Sequence, residues 1–168
     1  MANMIPISTV IVGSGGATSI DFVNIPQTYT DLCIKLSIRS SQTGAIADYG
    51  KVLFNGNTSS YLYKDVYGNG ASATGTGATT TLLMTYQANA GTANTFGNNE
   101  IYIPNYSGSS NKSFSIDSVV ENNATTGYDT LTAGLWSNTS PINSISISPA
   151  SGTWLQYSSA TLYGIRKY

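Results

Sequence analysis

Glu100–Thr126 reads EIYIPNYSGSSNKSFSIDSVVENNATT and holds two alternating segments joined by a turn-forming run. In the first, Ile101 and Ile103 fall on one side while Tyr102 and Pro104 fall on the other. In the second, Phe114, Ile116, Ser118 and Val120 share a side, opposed by Ser113, Ser115, Asp117, Val119 and Glu121. Side chains alternate across a pleated strand, so this spacing gives each segment one apolar and one wetter face. Ser107-Gly108-Ser109-Ser110-Asn111 between them has the small, polar composition of a hairpin loop. The stretch is therefore a β-hairpin, and the rest of the chain repeats its design.

Asp31–Arg39 is the cleanest strand, with Leu32, Ile34, Leu36 and Ile38 opposed to Asp31, Cys33, Lys35, Ser37 and Arg39. Four aliphatics in strict alternation predict a central strand, contributing about 6–12 kcal/mol by buried area before entropy is subtracted. Ser8–Val12 is a β-branched run ending at the turn or hinge Gly13-Ser14-Gly15-Gly16. The residues before it form either a first strand or an arm that docks on a neighbour. Ala17–Ile25 alternates weakly through Ile20 and Phe22, and Pro26 ends any ladder there. Lys51–Phe54 leads into Asn55-Gly56-Asn57, a tight-hairpin signal. Tyr61–Tyr67 sets Tyr61, Tyr63, Asp65 and Tyr67 against Leu62, Lys64 and Val66.

Thr79–Tyr86 is a Thr-rich strand carrying Leu82, Leu83 and Met84. Ser40–Ala47, the low-complexity GNGASATGTG of Gly68–Gly77, and Gln87–Asn94 read as exposed loops. Tyr128–Ser137 opposes Leu131, Ala133 and Leu135 to Thr130, Thr132, Gly134 and Trp136. Ile142–Ser148, Trp154–Tyr157 and Ala160–Ile165 complete the series.

No apolar repeat of period 3.6 lasts ten residues. About ten short strands predict an all-β fold without substantial helix: a single antiparallel β-sandwich of jelly-roll type. An immunoglobulin-like sandwich comes second, weakened by strand number and by the missing Cys…Trp…Cys pattern. Residues 1–16 form an N-terminal strand or arm with its Gly-rich hinge, and 17–168 form the sandwich.

Charged residues are only 9% of the 168, against about 25% in ordinary soluble proteins. Ser, Thr and Asn replace them, 59 residues in all. Such a surface suits a protein embedded in an assembly or facing the extracellular medium. The seven basic residues are scattered, with only Arg166 and Lys167 adjacent, so no phosphate-neutralising patch or anionic-membrane anchor is expected. No run approaches a membrane-spanning length. The opening MANMIPISTVIVGSGG lacks a basic n-region and does not read as a secretory leader. Cys33 is the only cysteine and reads as a buried, inert thiol in a protein made in a reducing cytoplasm.

Histidine is absent, which removes Ser-His-Asp and Cys-His catalysis and the commonest zinc ligand. Glu100, Asp117, Glu121 and Asp129 are the carboxylates a glycosidase would draw on. Asp117 and Glu121, four apart along one strand, stand ~13 Å apart, too far for a catalytic pair. They read as solvated outer-face charges. Gly13–Gly16 lacks the Lys-Ser/Thr ending and following helix of a phosphate loop. The Asn-x-Ser/Thr triplets at Asn57, Asn105, Asn111, Asn123 and Asn138 follow from composition. No cofactor is implied. Tyr61, Tyr63, Tyr67, Trp136 and Trp154 read either as core and subunit interface or as an aromatic platform for sugar rings.

Several segments resemble a family of β-rich virion proteins of tailed bacteriophages, particularly those of aquatic bacteria including cyanobacteria. The resemblance is carried by IDFVNIPQTYTDLCIKLSIRS (Ile20–Ser40), FNGN (Phe54–Asn57), the Phe96–Thr126 region with its IYIPNY…NKSF phrase, and Leu131–Tyr168 with AGLWSNT…ATLYGI. Together these span roughly two-thirds of the chain, in order. The resemblance implies a jelly-roll-like module without catalysis, and for a chain of this length a capsid decoration (cement) protein. Its implied partners are the major capsid protein and two further copies of itself as a homotrimer, on the outer surface of the phage head. The alternative is a tail, fibre-tip or head-appendage module that binds host surface carbohydrate. Ile5, Ile7 and Val10 of the arm, together with the five aromatics above, are the candidate partner contacts.

Overall fold

Alternation is obeyed almost everywhere in the computed structural model, which describes residues 3–88, 90–122 and 125–166. Met1 and Ala2 of the arm, Asn123 of the triplets and Lys167 lie outside the described residues, as do the side chains of Leu82 and Leu83. Among the described residues twelve strands form: β1 (Asn3–Ile11), β2 (Ile20–Phe22), β3 (Asp31–Ile38), β4 (Ala47–Phe54), β5 (Tyr61–Gly68), β6 (Ala73–Ala78), β7 (Leu82–Gln87), β8 (Gly97–Pro104), β9 (Lys112–Glu121), β10 (Gly127–Trp136), β11 (Ile145–Pro149) and β12 (Ser159–Arg166). The opening hairpin is β8–β9, and β9 alternates buried and exposed over all ten of its residues.

Two antiparallel sheets result. The larger runs β1-β12-β3-β8-β9-β10-β5-β6 and the smaller β2-β11-β4-β7. The pairing is nested: β1 takes β12, β2 takes β11, β3 takes β8 and β4 takes β7. Cross-pairs β12–β3 and β11–β4 roll this long ribbon into two layers. Hairpins β5–β6 and β9–β10 are insertions that widen the larger sheet. Inner-face residues of both layers merge into one core, among them Leu32, Ile34, Val52, Phe54, Ile101, Phe114, Trp136 and Ile147. This is an all-β sandwich.

Residues 3–11 are thus the outermost strand of the larger sheet rather than a free arm. A bulge between Pro6 and Ser8 shifts the register, so both Ile7 and Val10 pack on the core although they lie three apart. Gly68–Gly77 is not simply a loop. Asn69 folds a turn by accepting hydrogen bonds from the backbone of Ala71 and Ser72, with Gly70 at φ 83°, and residues 73–78 return along β5. Its Gly/Ala/Thr composition hides the strand because all six residues of β6 are exposed. The Asn55-Gly56 turn forms with both residues at positive φ, but it joins the two sheets rather than a hairpin. Asn55 explains this: its side chain bonds Pro141, Asn143 and Ser144 on the far side of the chain. Trp154–Tyr157 makes only isolated bridges, Trp154 to Ala17 and to Ser40.

The few buried charges tie loops down. Arg39, 4% exposed, donates to the carbonyls of Gly91, Thr92 and Thr95. Lys112 donates to Gly108, Ser110 and Thr139, closing the loop of the opening hairpin from beneath, and burial lowers its pKa. Asp31 accepts from the Tyr102 hydroxyl at 2.6 Å and the Asn105 amide at 3.0 Å, fixing the end of β8 against the start of β3. Backbone carbonyls take the donors of Arg39 and Lys112, while a hydroxyl and an amide donate to Asp31.

Gly134 marks the tightest packing. A Cβ there would stand 2.2 Å from the Phe114 ring, which lies across β10 and meets Phe54 edge-on at 5.2 Å. Gly134→Ala is expected to cost about 2–3 kcal/mol in urea denaturation, since Phe114 must leave its rotamer. Gly127→Ala, whose nearest contact would be 3.7 Å, is the control. Equal stability of the two variants would show that the ring yields freely.

Candidate functional site

Four of the five aromatics singled out above are core. Trp136 and Trp154 are 1% and 0% exposed, and Tyr61 and Tyr63 are buried beside them. The Tyr61 hydroxyl accepts the Phe54 amide at 2.7 Å, and its ring stacks on Trp136. These four rings fill the space between the sheets, so they are corrected here from partner contacts to packing. Ile5 is half-buried on β1. Tyr67 is half-buried and opens onto a concave surface.

That surface is a cleft of about 410 Å³ between the start of β4 and the inner face of β5 and β10, lined by residues 45–49 together with Tyr67, Tyr128 and Thr130. Tyr67 and Tyr128 meet with ring centroids 6.3 Å apart at 40°. Tyr49, 42% exposed, contributes a third ring from β4. Strand parity places these groups: Tyr67 shares the inner face of β5 with Tyr61 and Tyr63, and Tyr128 that of β10 with Trp136.

Towards the cleft the sandwich interior changes from apolar to polar. Asn99, Ser118, Thr130 and Tyr67 stand in register as direct neighbours across β8, β9, β10 and β5. The adjoining row is Ile101, Ile116, Thr132 and Asp65. Asp65 is 5% exposed, yet its Oδ1 has no hydrogen-bond partner. Asp48, by contrast, is engaged: Oδ1 accepts the Tyr49 amide and Oδ2 the Tyr86 hydroxyl. Burial, and then the Asp65 carboxylate, hold the Tyr49 phenol above its ordinary pKa. Among the described residues that line the cleft there is no lysine or arginine.

The acidic residues considered for hydrolysis lie elsewhere, on the outer face. Glu100 pairs with Lys35, both side chains being more than 40% exposed, and such a pair contributes little. Asp117 stands opposite Glu100 in register, while Glu121 and Asp129 are exposed. Cys33 lies on this face too, flanked in register by Tyr102 and Tyr163, and is 1% exposed. Burial pushes its thiol up to about 11. Among the described residues no group of three or more His, Cys, Asp or Glu is placed to hold a metal, and no helix is long and apolar enough to cross a membrane.

The sequence already carries the parity that aligns Tyr67 with Tyr61. Tyr49, Tyr128 and Thr130 were not singled out because their meeting depends on register and on which sheet β4 joins. No family model matches the chain, and no curated protein and no solved structure matches it either.

Proposed function

We propose that the chain is a non-enzymatic virion structural protein of a tailed bacteriophage, a capsid decoration protein that binds the major capsid protein lattice as a homotrimer on the head surface. The observation that carries this reading is an aliphatic patch on the outer face of β5, β10 and β9. Leu62, Val66, Leu131 and Val119 are 40–57% exposed there, and Leu131 stands directly opposite Val66. A sheet face that presents branched aliphatics to water, on a chain so poor in charge, is suited to a broad shape-matched contact. The nested strand pairing supports the jelly-roll assignment within this reading, with β5–β6 and β9–β10 as the insertions that create the patch.

Mass spectrometry of purified particles tests it. The expected copy number is comparable to the major capsid protein or a simple fraction of it. Leu131→Lys, a surface change that leaves the core alone, is expected to reduce occupancy on decorated heads at least tenfold. A handful of copies per particle would sink the reading.

A further inference from the structure

We propose that the edge of β6 is a self-association surface, where this strand pairs antiparallel with β6 of a second copy about a two-fold axis at Thr76. The decoration reading places capsid contact on the outer face of β5, β10 and β9. The edge contact goes beyond that reading and does not rest on it.

A strand at the end of a sheet turns every second N–H and C=O outward, a template on which another strand can pair. Proteins blunt such ends with bulges, proline, charge or a very short strand. Among the described residues the two sheets have four end strands: β1 and β6 in the larger, β2 and β7 in the smaller. Three are blunted. β1 carries Pro6 with a bulge beside it, β2 has three residues, and a bulge breaks the register of β7 with β4.

β6 has none of these devices. Its six residues, Ala-Thr-Gly-Thr-Gly-Ala, include no charge and no proline, and all are exposed. They keep unbroken register with β5, and none has positive φ. Lys64 of β5 lies over the sheet face at Gly77, its Cδ 2.5 Å from where a Cβ of that glycine would stand. It covers the face and leaves the in-plane backbone groups of the edge open.

One open edge in four decides the partner. Head-to-tail pairing needs two different free edges on each copy, whereas a single free edge meets itself in an isologous contact that closes. The strand suits this. Thr74, Thr76 and Ala78 stand opposite Tyr67, Asp65 and Tyr63 on the inner side, and Gly75 and Gly77 opposite Val66 and Lys64 on the outer. With the axis at Thr76, that residue meets its own counterpart, Gly75 meets Gly77, and Thr74 meets Ala78. Inner sides therefore stay together, and each eight-stranded sheet continues into the other. A Thr–Thr pair is a favourable cross-strand neighbour, and no like charges on β6 face each other. The paired glycines leave room for the Lys64 stem.

The test is sedimentation velocity with light scattering on the full chain, taken up to about 1 mM because so short a ladder binds weakly. Mass is expected to rise with concentration to at least twice that of Thr76→Lys or Thr76→Glu. Either variant sets like charges at the axis and is expected to weaken association at least tenfold. Reading the ratio of masses keeps the result independent of any trimer formed through other surfaces. An equimolar mixture of the two variants is expected to associate like the parent, because Lys then faces Glu; a merely damaged edge would not recover. Tyr157→Ala, exposed and outside β6, is expected to associate like the parent. Three outcomes overturn the proposal, with circular dichroism showing the variants folded. The parent matches the variants in mass at every concentration, which leaves the edge to an extended segment of another protein; the single variants associate as strongly as the parent; or the mixture stays apart.

Discussion

Trp154→Ala is expected to lower the unfolding free energy by about 4–5 kcal/mol, a drop of roughly 8–20 °C in Tm for a chain of this size. The indole is wholly buried and meets the Tyr86 ring edge-to-face at 4.9 Å. Its Nε1 donates to the Ile147 carbonyl at 3.0 Å, which fixes it to β11. Its own backbone exchanges two hydrogen bonds with Ala17, just ahead of β2. One side chain thus fastens the segment before β12 to β7 and β11 of the smaller sheet, and its loss leaves a cavity and removes the indole hydrogen bond. Trp154→Phe, which keeps a ring but loses the donor, should cost about 1–2 kcal/mol. Tyr157→Ala, at 69% exposure, should stay within about 0.5 kcal/mol. Chemical denaturation of the three variants decides the matter, and a loss below about 1 kcal/mol for Trp154→Ala would show that the indole anchors nothing.

The second large effect is alkaline. Burial raises the Cys33 thiol from 9.0 to about 11, and the Tyr61 and Tyr86 phenols from 10.0 to about 12. In each case the folded state holds the proton more tightly than the unfolded one. Below pH 9 both states are protonated at these groups and stability does not depend on them. Above it the unfolded chain releases protons first, so stability falls as pH rises and levels off only once the folded values are passed. Each rise is worth about 2.7 kcal/mol, so the three together remove on the order of 8 kcal/mol between pH 9 and 12, comparable to the whole stability of many domains. Denaturation midpoints should therefore be flat up to pH 9 and collapse before pH 12. β-sheet circular dichroism should be lost over the same interval. Denaturation midpoints and circular dichroism unchanged up to pH 12 would refute this.

How much of this was legible beforehand differs by level. Period-two alternation, with β-branched composition for β1 and β7, located eleven of the twelve described strands at least in part, because a strand half-buried in a sandwich tends to alternate. The inner faces of β3, β5 and β9 follow the predicted parity residue by residue. The pattern is silent where neither face is buried, which is why β6 was missed. It is silent too about pairing partners: Asn55-Gly56 makes the turn its composition dictates, but distant contacts to Asn143 and Ser144 decide where the chain goes next. Among the aromatics, composition could not separate Trp154, which seals the core, from Tyr67, which opens on the cleft. That distinction rests on tertiary position: Tyr67 sits near the end of β5, whereas Trp154 sits in the bridged segment before β12.

The nested pairing also bears on how the molecule is made. β1, made before the other described strands, pairs among the described residues with β12, with Asn3 opposite Arg166. β2 likewise waits for β11. Such a high contact order places folding among slow β topologies, on the order of milliseconds to seconds. It also leaves strands with bare backbone edges through most of translation. Scarce charge, which would otherwise keep such edges apart, makes that interval the chain's most exposed moment, and the Pro6 bulge in β1 and the shortness of β2 become safeguards of the nascent protein.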